Sequence, residues 1–172
     1  MVDAIRPQPG APFPALRFDT LDHGHIDFPA LQGWRLLVVY RGRHCPLCAR
    51  YLKTLDGLMD RFAASGIGVY TLSADPEERA RAHQAEAGWR FPVGYGMSLE
   101  QMRQLGLYVS EPRSAQETDR LFAEPGAFVV NAEGRLQIVD ISNAPFARPD
   151  LEGLLSGIEF ACAKGYPIRG TL

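Results

Sequence analysis

Two cysteines three residues apart follow an apolar run and open a helix-periodic segment. The run is Leu36-Leu37-Val38-Val39-Tyr40, and the pair is Cys45 and Cys48 in the motif Cys45-Pro46-Leu47-Cys48. Residues three apart lie on one face of a helix, so the two sulfurs can bond without a change in the backbone. A buried strand that leads into a helix starting with this motif predicts a redox-active pair.

The start of a helix gives Cys45 a chemical advantage over Cys48. Unpaired backbone N–H groups and the positive end of the helix dipole stabilise an anion there, whereas the pKa of a free cysteine is about 8.5. Pro46 suits the first helical position, where a missing N–H costs nothing. These features predict a nucleophile with a lowered pKa at Cys45 and a resolving partner at Cys48.

The charge pattern around the pair also favours an anion. No acidic residue occurs between Phe28 and Leu55, whereas five residues are basic, namely Arg35, Arg41, Arg43, Arg50 and Lys53. Cations before a helix slightly destabilise it, so they are better explained by an anion that the site holds; a solvated basic face is the alternative. His44 is a candidate proton donor or acceptor, with a surface histidine as the alternative.

The composition is that of one ordinary soluble domain, which we expect to cover residues 1–172. The formal net charge of −2 gives no indication of nucleic-acid binding. Residues 1–14 form a Pro/Gly-rich lead-in without an apolar core of signal-peptide length. We therefore expect a cytoplasmic protein with no membrane segment.

Three cysteines do not make a disulfide framework, and in the cytoplasm a C-x-x-C beside a strand–helix–strand pattern indicates thioredoxin-like redox chemistry. A structural zinc site is the alternative, but it usually needs a second ligand pair at similar spacing. Cys162 is alone, and His23 and His25 lie in a turn. We therefore expect no metal and no cofactor, and we expect Cys162 to be a small buried residue of the last helix.

Strands and helices alternate along the rest of the chain. The expected strands are 16–18, 25–27, 35–40, 67–73, 91–95, 127–131 and 135–141, and the expected helices are 46–65, 76–88, 98–105 and 149–164, whereas 111–124 is polar and irregular. Turns at Asp22-His23-Gly24 and Asn131-Ala132-Glu133-Gly134 predict two hairpins. The order predicts an α/β fold with a central mixed sheet that helices cover on both faces.

Two of the expected helices begin with capping signals. Asp75 is the expected N-cap of the helix that Pro76 opens, because a carboxylate accepts the free N–H groups of a first turn. Ser98 is followed three residues later by Gln101, which predicts a capping box.

Several segments carry a family resemblance that covers most of the chain. They are Pro12-Phe13-Pro14-Ala15-Leu16, Tyr40-Arg41-Gly42-Arg43-His44-Cys45-Pro46-Leu47-Cys48, Leu72-Ser73-Ala74-Asp75-Pro76, Phe128-Val129-Val130-Asn131-Ala132-Glu133-Gly134, and Ala147-Arg148-Pro149-Asp150 with Tyr166-Pro167-Ile168-Arg169-Gly170. Together they resemble thioredoxin-fold proteins of the AhpC/TSA group, in particular its peroxiredoxin-like branch. The resemblance implies a thioredoxin-like fold with an N-terminal β-hairpin and a helix-strand insertion in the middle.

The resemblance also implies a role for Pro125. Thioredoxin-like proteins place a cis-proline just before the strand that faces the redox pair, and Pro125 stands three residues ahead of Phe128. A cis bond there would set a backbone edge against the cysteines, where an extended substrate peptide could pair. An ordinary trans-proline at the start of a strand is the alternative.

The chain departs from the peroxiredoxin pattern at the peroxide-binding positions. Typical members use P-x-x-x-T/S-x-x-C together with an arginine. With Cys45 as the cysteine of the pattern, the Thr position is Gly42 and the Pro position is Val38, and aligning Cys48 instead does not complete the pattern either. Other groups must then polarise the O–O bond. The candidates are Arg41, Arg43 and Arg148.

Two reactions with one chemistry follow from these features. In the first, the Cys45 thiolate is oxidised by a hydroperoxide and resolved by Cys48, and a thioredoxin- or glutathione-type thiol reduces the disulfide. In the second, Cys45 attacks a disulfide substrate and Cys48 resolves the mixed disulfide. The family resemblance favours the first, and a non-enzymatic redox sensor or binding module is a third hypothesis. Edge pairing or helix docking would allow a homodimer.

Overall fold

The computed structural model describes residues 6–172, and a mixed sheet of seven strands forms its centre. Residues 1–5 of the expected lead-in lie outside the described residues. The strands are β1 (Arg17–Thr20), β2 (His25–Asp27), β3 (Arg35–Val39), β4 (Gly68–Leu72), β5 (Val93–Tyr95), β6 (Val109–Ser110), β7 (Phe122–Ala123), β8 (Gly126–Val130) and β9 (Leu136–Ile141). The helices are α1 (Pro46–Gly57), α2 (Met59–Ala64), α3 (Glu77–Ala87), α4 (Leu99–Gln104) and α5 (Leu151–Lys164), and Phe28–Ala30 forms a 3-10 turn.

The large sheet has the strand order β2-β1-β5-β4-β3-β8-β9. Strand β3 pairs parallel with β4 and antiparallel with β8, and all five of its residues are buried. The two predicted hairpins are present as β1–β2 and β8–β9. The predicted α/β class, with a central mixed sheet flanked by helices and a thioredoxin-like arrangement, is confirmed. Within residues 6–172, each helix is too short or too polar to cross a membrane.

Alternate residues of β3 pack on opposite faces of the sheet. Leu36 belongs to a cluster with Leu52 of α1 and Leu155 of α5, whereas Leu37 belongs to a cluster with Met102 of α4. A strand buried on both faces reads as a continuous apolar run, which is the pattern of the sequence. Helix α1 is thus packed on the sheet directly after β3, and this packing fixes the position of Cys45 and Cys48, the predicted redox pair.

The helix predicted to extend to residue 65 is divided in two, so the expectation of one continuous helix is wrong. The N–H of Leu58 donates to the carbonyl of Leu55, three residues before it, at 3.0 Å, whereas the bonds of a regular α-helix join residues four apart. Phe62 of α2 is nevertheless buried in the same cluster as Leu52. The apolar spacing therefore predicts the buried face of both helices, although it does not reveal the break.

The polar segment 111–124 ends in a strand that the sequence pattern does not indicate. Strand β7 pairs antiparallel with β6 in a separate two-stranded sheet. Strands of two residues are too short to show an alternating pattern. The pairing is important for the site because it holds Phe122 against His44, which directly precedes the redox pair.

Candidate active site

The redox pair forms the first turn of α1. Cys45 is the N-cap, and its sulfur accepts a hydrogen bond from the backbone N–H of Cys48 at 3.2 Å. Pro46 begins the helix, as predicted. Both cysteines are free thiols, with 2% of Cys45 and 0% of Cys48 exposed to solvent. The start of the helix thus holds the Cys45 sulfur in a site that is closed to bulk water.

The surroundings move the pKa values of the two thiols in opposite directions. The pKa of Cys45 is lowered, chiefly because the Cys48 thiol donates a hydrogen bond to its sulfur, and the guanidinium of Arg41 contributes in the same direction against the effect of burial. The pKa of Cys48 is raised, because its thiol is the donor in that pair and because it is buried. This asymmetry favours Cys45 as the nucleophile.

Arg41 connects the redox pair to the segment 111–124. Its guanidinium lies 4.7 Å from the centre of the Phe122 ring, and its charge lowers the pKa of the Cys45 thiol. It also lies 3.6 Å from a carboxylate oxygen of Glu117 and 3.4 Å from one of Glu124. The Arg41 cation therefore acts on the Cys45 thiol while it lies beside two largely buried carboxylates. Our sequence analysis missed both glutamates, because they lie far along the chain in a segment without a recognisable pattern.

The loop between β3 and α1 is shaped by Gly42 and by Asp75, which lies against it. Gly42 has a φ of +132°, and a Cβ atom there would come within 2.8 and 2.9 Å of the two carboxylate oxygens of Asp75. One of these oxygens accepts the backbone N–H of Arg43 at 2.7 Å. A threonine therefore does not fit at the position where typical peroxiredoxins carry Thr or Ser.

The expectation that Asp75 caps the following helix is wrong. The N-cap of α3 is Pro76, and no side chain hydrogen-bonds to the first turn of that helix. The carboxylate of Asp75 is 2% exposed at the residue level and is turned toward Arg43 instead. The capping box predicted at Ser98 and Gln101 is present at the start of α4.

His44 and Arg43, both predicted site residues, lie in different surroundings. The ring of His44 lies 4.6 Å from that of Phe122, and neither of its buried nitrogens has a hydrogen-bond partner within residues 6–172. Burial lowers the pKa of His44, so the neutral ring predominates at pH 7. Arg43 is exposed and pairs with Glu86 of α3. His44 therefore remains a candidate for proton transfer, whereas Arg43 is engaged at the surface.

Fewer basic side chains act on the two cysteines than the sequence indicates. Arg35 is buried at the start of β3 and donates to backbone carbonyls, among them that of Gly33 at 2.8 Å. Arg50 and Lys53 are exposed on α1. Of the five cations that the sequence places near the pair, Arg41 is the one whose charge lowers the pKa of Cys45. The prediction that all five cations stabilise the thiolate is wrong. Arg35 donates to backbone carbonyls, Arg43 pairs with Glu86, and the other two side chains are exposed to solvent.

Arg148 reaches the pair from the segment before α5. Its Nη2 lies 3.6 Å from the sulfur of Cys48, and its guanidinium lies 4.5 Å from the centre of the Tyr51 ring. Its Nε donates to the carbonyl of Pro145 at 2.8 Å. Beside it opens a groove of about 440 Å³, whose lining includes Leu47, Arg50, Tyr51, Thr54, Pro145 and Phe146. The fold thus places Arg148 at Cys48 rather than at Cys45.

Pro125 precedes β8 as expected, but its peptide bond is trans. No cis peptide bond occurs within residues 6–172, so the expected cis-proline is wrong. The carbonyl of Pro125 accepts the N–H of Ser142 at 3.0 Å, and the N–H of Glu124 donates to the carbonyl of Tyr108 at 2.8 Å. These backbone groups are already paired within the chain and do not offer an extended peptide a free edge.

Cys162 is exposed on α5, so the expectation of a buried residue is wrong. The buried face of α5 consists of Leu151, Leu155, Ile158 and Ala161, and the spacing of Cys162 from Leu155 and Ile158 would place it on the same face, but it lies in the last turn of the helix, where it is exposed. Within residues 6–172, no three His, Cys, Asp or Glu side chains are grouped so that they would hold a metal ion.

The sequence model of the AhpC/TSA family matches residues 9–139. No curated protein matches the chain significantly in sequence. Three solved structures share the fold. They are a mutant of peroxiredoxin 6 from Arenicola marina (18% identity, 92% of this chain and 74% of that chain covered, TM-score 0.77), the bacterioferritin comigratory protein of Xanthomonas campestris (18%, 97% and 100%, 0.69) and AhpC of Mycobacterium bovis (16%, 97% and 98%, 0.74).

Proposed function

The chain belongs to the AhpC/TSA family and is an oxidoreductase, and from this premise we propose that it is a thiol peroxidase. Cys45 is the residue that a hydroperoxide oxidises, and Cys48 resolves the product as an intramolecular disulfide. The structurally similar protein of Xanthomonas campestris is described as reducing alkyl peroxides, which supports a substrate of this class.

The observation that carries the proposal is the burial of both sulfurs. Cys45 is 2% exposed and Cys48 is 0% exposed. A hydroperoxide is small enough to enter such a site, whereas a disulfide in a folded protein must bring its own backbone beside the sulfur. The backbone groups next to Pro125, which would pair with that partner, are already bonded within the chain. A closed site and an occupied edge both favour a small oxidant.

In the first step, the Cys45 thiolate attacks one oxygen of the hydroperoxide. The S–O bond forms as the O–O bond breaks, and the departing oxygen takes up a proton and leaves as an alcohol or water. Arg41, whose charge lowers the pKa of Cys45, stabilises the negative charge that develops on the departing oxygen. His44, whose ring is neutral and has no hydrogen-bond partner in the described chain, is the candidate to donate a hydrogen bond to that oxygen from its ring N–H.

In the second step, Cys48 attacks the oxidised Cys45, and an external thiol of the thioredoxin or glutathione type then reduces the disulfide. The burial of both sulfurs favours a small thiol of the glutathione type over a protein thiol. The groove beside Arg148 has the volume of a small-molecule site, and its lining includes Leu47, which stands between the two cysteines in the chain, so it is our candidate for the place where such a thiol binds. Reduction by a cellular thiol suits a cytoplasmic location. Strands β2 and β9 are the two edges of the large sheet, and pairing at either would form a homodimer.

The proposal is tested by mixing the fully reduced protein with equimolar hydrogen peroxide and following thiol loss by stopped flow. We expect oxidation several orders of magnitude faster than that of a free thiol, and its loss in Cys45→Ser. Cys48→Ser is expected to accumulate a sulfenic acid that dimedone traps, without a disulfide. Cys162→Ser, at an exposed position, is the matched control and should react as the unmodified protein does. Peroxide oxidation no faster than that of a free thiol would overturn the proposal.

Thiol–disulfide exchange is the second candidate, because two sulfurs at the start of one helix are also the arrangement that exchange requires. A model aromatic disulfide replaces peroxide in the same measurement. Slow oxidation by peroxide together with fast exchange would assign this activity instead. Slow reaction with both oxidants, without turnover in the presence of a reductant, would leave the role of a redox sensor.

A further inference from the structure

Cys48 has to change its protonation state during the proposed cycle. In the reduced protein its thiol donates a hydrogen bond to the Cys45 sulfur, which keeps the proton on Cys48. Once Cys45 is a sulfenic acid, the attacking group at Cys48 must be a thiolate. Burial still disfavours an anion at that position. A cation that lies close to Cys48 and has no carboxylate partner of its own would therefore accelerate disulfide formation, because it would stabilise the Cys48 thiolate.

Arg148 meets this requirement. Its Nη2 lies 3.6 Å from the Cys48 sulfur. In the described part of the chain it forms no ion pair with a carboxylate, whereas Arg41 lies beside both Glu117 and Glu124. Its Nη1 is buried and has no hydrogen-bond partner there. The charge of Arg148 is therefore available to the sulfur.

The guanidinium is held by the helix that carries the sulfur. It lies 4.5 Å from the centre of the Tyr51 ring, within the range of a cation–π contact. Tyr51 lies one turn after Cys48 on α1, and its hydroxyl donates to the carbonyl of Pro149 at 2.8 Å. Nε of Arg148 donates to the carbonyl of Pro145 at 2.8 Å. Because Cys48 and Tyr51 both lie on α1, a movement of this helix would carry the Cys48 sulfur and the Tyr51 ring together, and the guanidinium of Arg148 contacts both.

We propose that Arg148 is the positioning residue for disulfide formation, stabilising the Cys48 thiolate while Arg41 serves Cys45. The proposal rests on the proposed function of the pair. The Cys48 thiolate attacks Sγ of the Cys45 sulfenic acid, so the S–S bond forms and the S–O bond breaks. The hydroxide leaving group combines with the proton that Cys48 released and departs as water.

The other groups around Cys48 do not replace Arg148. Cys45 loses its negative charge when it is oxidised, and Tyr40 stays neutral because burial raises its pKa. The side chain of Arg41 lies beside Glu117 and Glu124, which offset its charge. The hydroxyl of Tyr51 is also kept neutral by burial, which raises its pKa. The positive charge at Cys48 thus comes mainly from Arg148.

The inference is tested with Arg148→Gln, Arg148→Lys and the control Lys53→Gln, which removes a charge from the exposed side of α1. Reduced protein is oxidised with one equivalent of peroxide and quenched with an alkylating agent, and mass spectrometry follows sulfenic acid and disulfide separately. Arg148→Gln is expected to slow disulfide formation about tenfold at pH 7, the effect of about one pKa unit, and far more than it slows sulfenic acid formation. The difference should shrink as pH rises, because Cys48 then ionises without the cation.

Two further results decide between a charge effect and a structural one. With excess peroxide, Arg148→Gln should accumulate more sulfinic acid, because slower resolution leaves time for a second oxidation. Arg148→Lys should recover most of the rate. Equal disulfide formation in Arg148→Gln and the Lys53→Gln control at every pH would overturn the proposal, as would a pH-independent loss of both steps in Arg148→Gln.

A second oxidant separates failure of this inference from failure of the proposed function. Cys45 is converted to a mixed disulfide with a chromogenic aromatic thiol, and Cys48 then displaces that thiol, whose release is followed by absorbance. This displacement needs the same Cys48 thiolate and no peroxide. Slower release in Arg148→Gln would support the role of Arg148 even if peroxide proved a poor substrate, whereas unchanged release would exclude it.

Discussion

Strands β3 and β4 lie side by side and parallel, and each leads into a helix, but the two helices begin differently. At the start of α1, the Cys45 sulfur accepts the N–H of Cys48. At the start of α3, Pro76 is the N-cap and no side chain bonds to the first turn. The nearby carboxylate of Asp75 instead accepts the N–H of Arg43 in the loop before α1. Helix α3 thus begins without a side-chain cap, because the nearby Asp75 is bonded to the loop before α1 instead.

The magnitudes explain why this arrangement is stable. An N-cap side chain contributes about 1 kcal/mol, whereas a hydrogen bond to a charged group contributes about 1.5–3 kcal/mol. Helix α3 also has Glu77 and Glu78 in its first turn, where carboxylates interact favourably with the helix dipole. A side-chain cap at α3 would therefore contribute less to stability than the buried hydrogen bond between Asp75 and the N–H of Arg43 in the loop before α1.

The largest expected effect comes from Gly42→Ala, which breaks the loop before α1. The added Cβ would lie under 3.0 Å from both carboxylate oxygens of Asp75, at a φ of +132° that L side chains rarely adopt. Strain and overpacking together should lower the free energy of unfolding by about 3 kcal/mol. Urea denaturation measures this loss. The control is Gly24→Ala, which also has a positive φ but has open space around it, and a loss as large there would refute the role of the Asp75 contact.

The next effect comes from removing the shared aspartate. Asp75→Ala leaves the N–H of Arg43 without its acceptor and removes the partner that lies 3.7 Å from Arg79. We expect a loss of about 2 kcal/mol in the free energy of unfolding. Asp75→Asn keeps an acceptor oxygen and should lose less than half as much. If the two variants lost the same amount, the charge rather than the hydrogen bond would be the stabilising feature.

The smallest of the three effects is expected on the ionisation of Cys45, the N-cap of α1. The pKa of Cys45 is lowered below that of a free thiol, so its reactivity is present above the lowered pKa and is lost as pH falls through it. Arg41→Gln removes one of the causes and should raise this pKa by about one unit, or about 1.4 kcal/mol. The rate of alkylation by iodoacetamide against pH measures the midpoint. An unchanged midpoint would show that Glu117 and Glu124 already neutralise Arg41.

The sequence predicted the elements that depend on local patterns. The apolar run of β3, the turn of the β8–β9 hairpin and the capping box at Ser98 each depend on residues within a few positions of one another. The break at Leu58 and the strand β7 escaped prediction, because the first lies inside a continuous apolar spacing and the second has only two residues. Local signals of this kind do not distinguish one helix from two helices on the same core.

Asp75 shows where a correct local signal gives the wrong answer. Aspartate before proline is a good N-cap in isolation, but the parallel pairing of β3 and β4 brings the loop after β3 within reach of its carboxylate. The same limit applies to the arginines. A sequence without acidic residues around the pair predicts a field of five cations, and folding brings Glu117, Glu124 and Glu86 to two of them.

The sequence by itself determined that two cysteines stand at the start of a helix, on a mixed sheet of the AhpC/TSA type. The strand run, the cysteine spacing and the proline are neighbours in the chain, so their consequences are local. Only the tertiary structure decided that Arg41 lies beside Glu117 and Glu124, that Arg148 lies at Cys48, and that the backbone beside a trans Pro125 is already paired. Those contacts join segments that are distant in sequence, and the packing of the sheet and helices selects them.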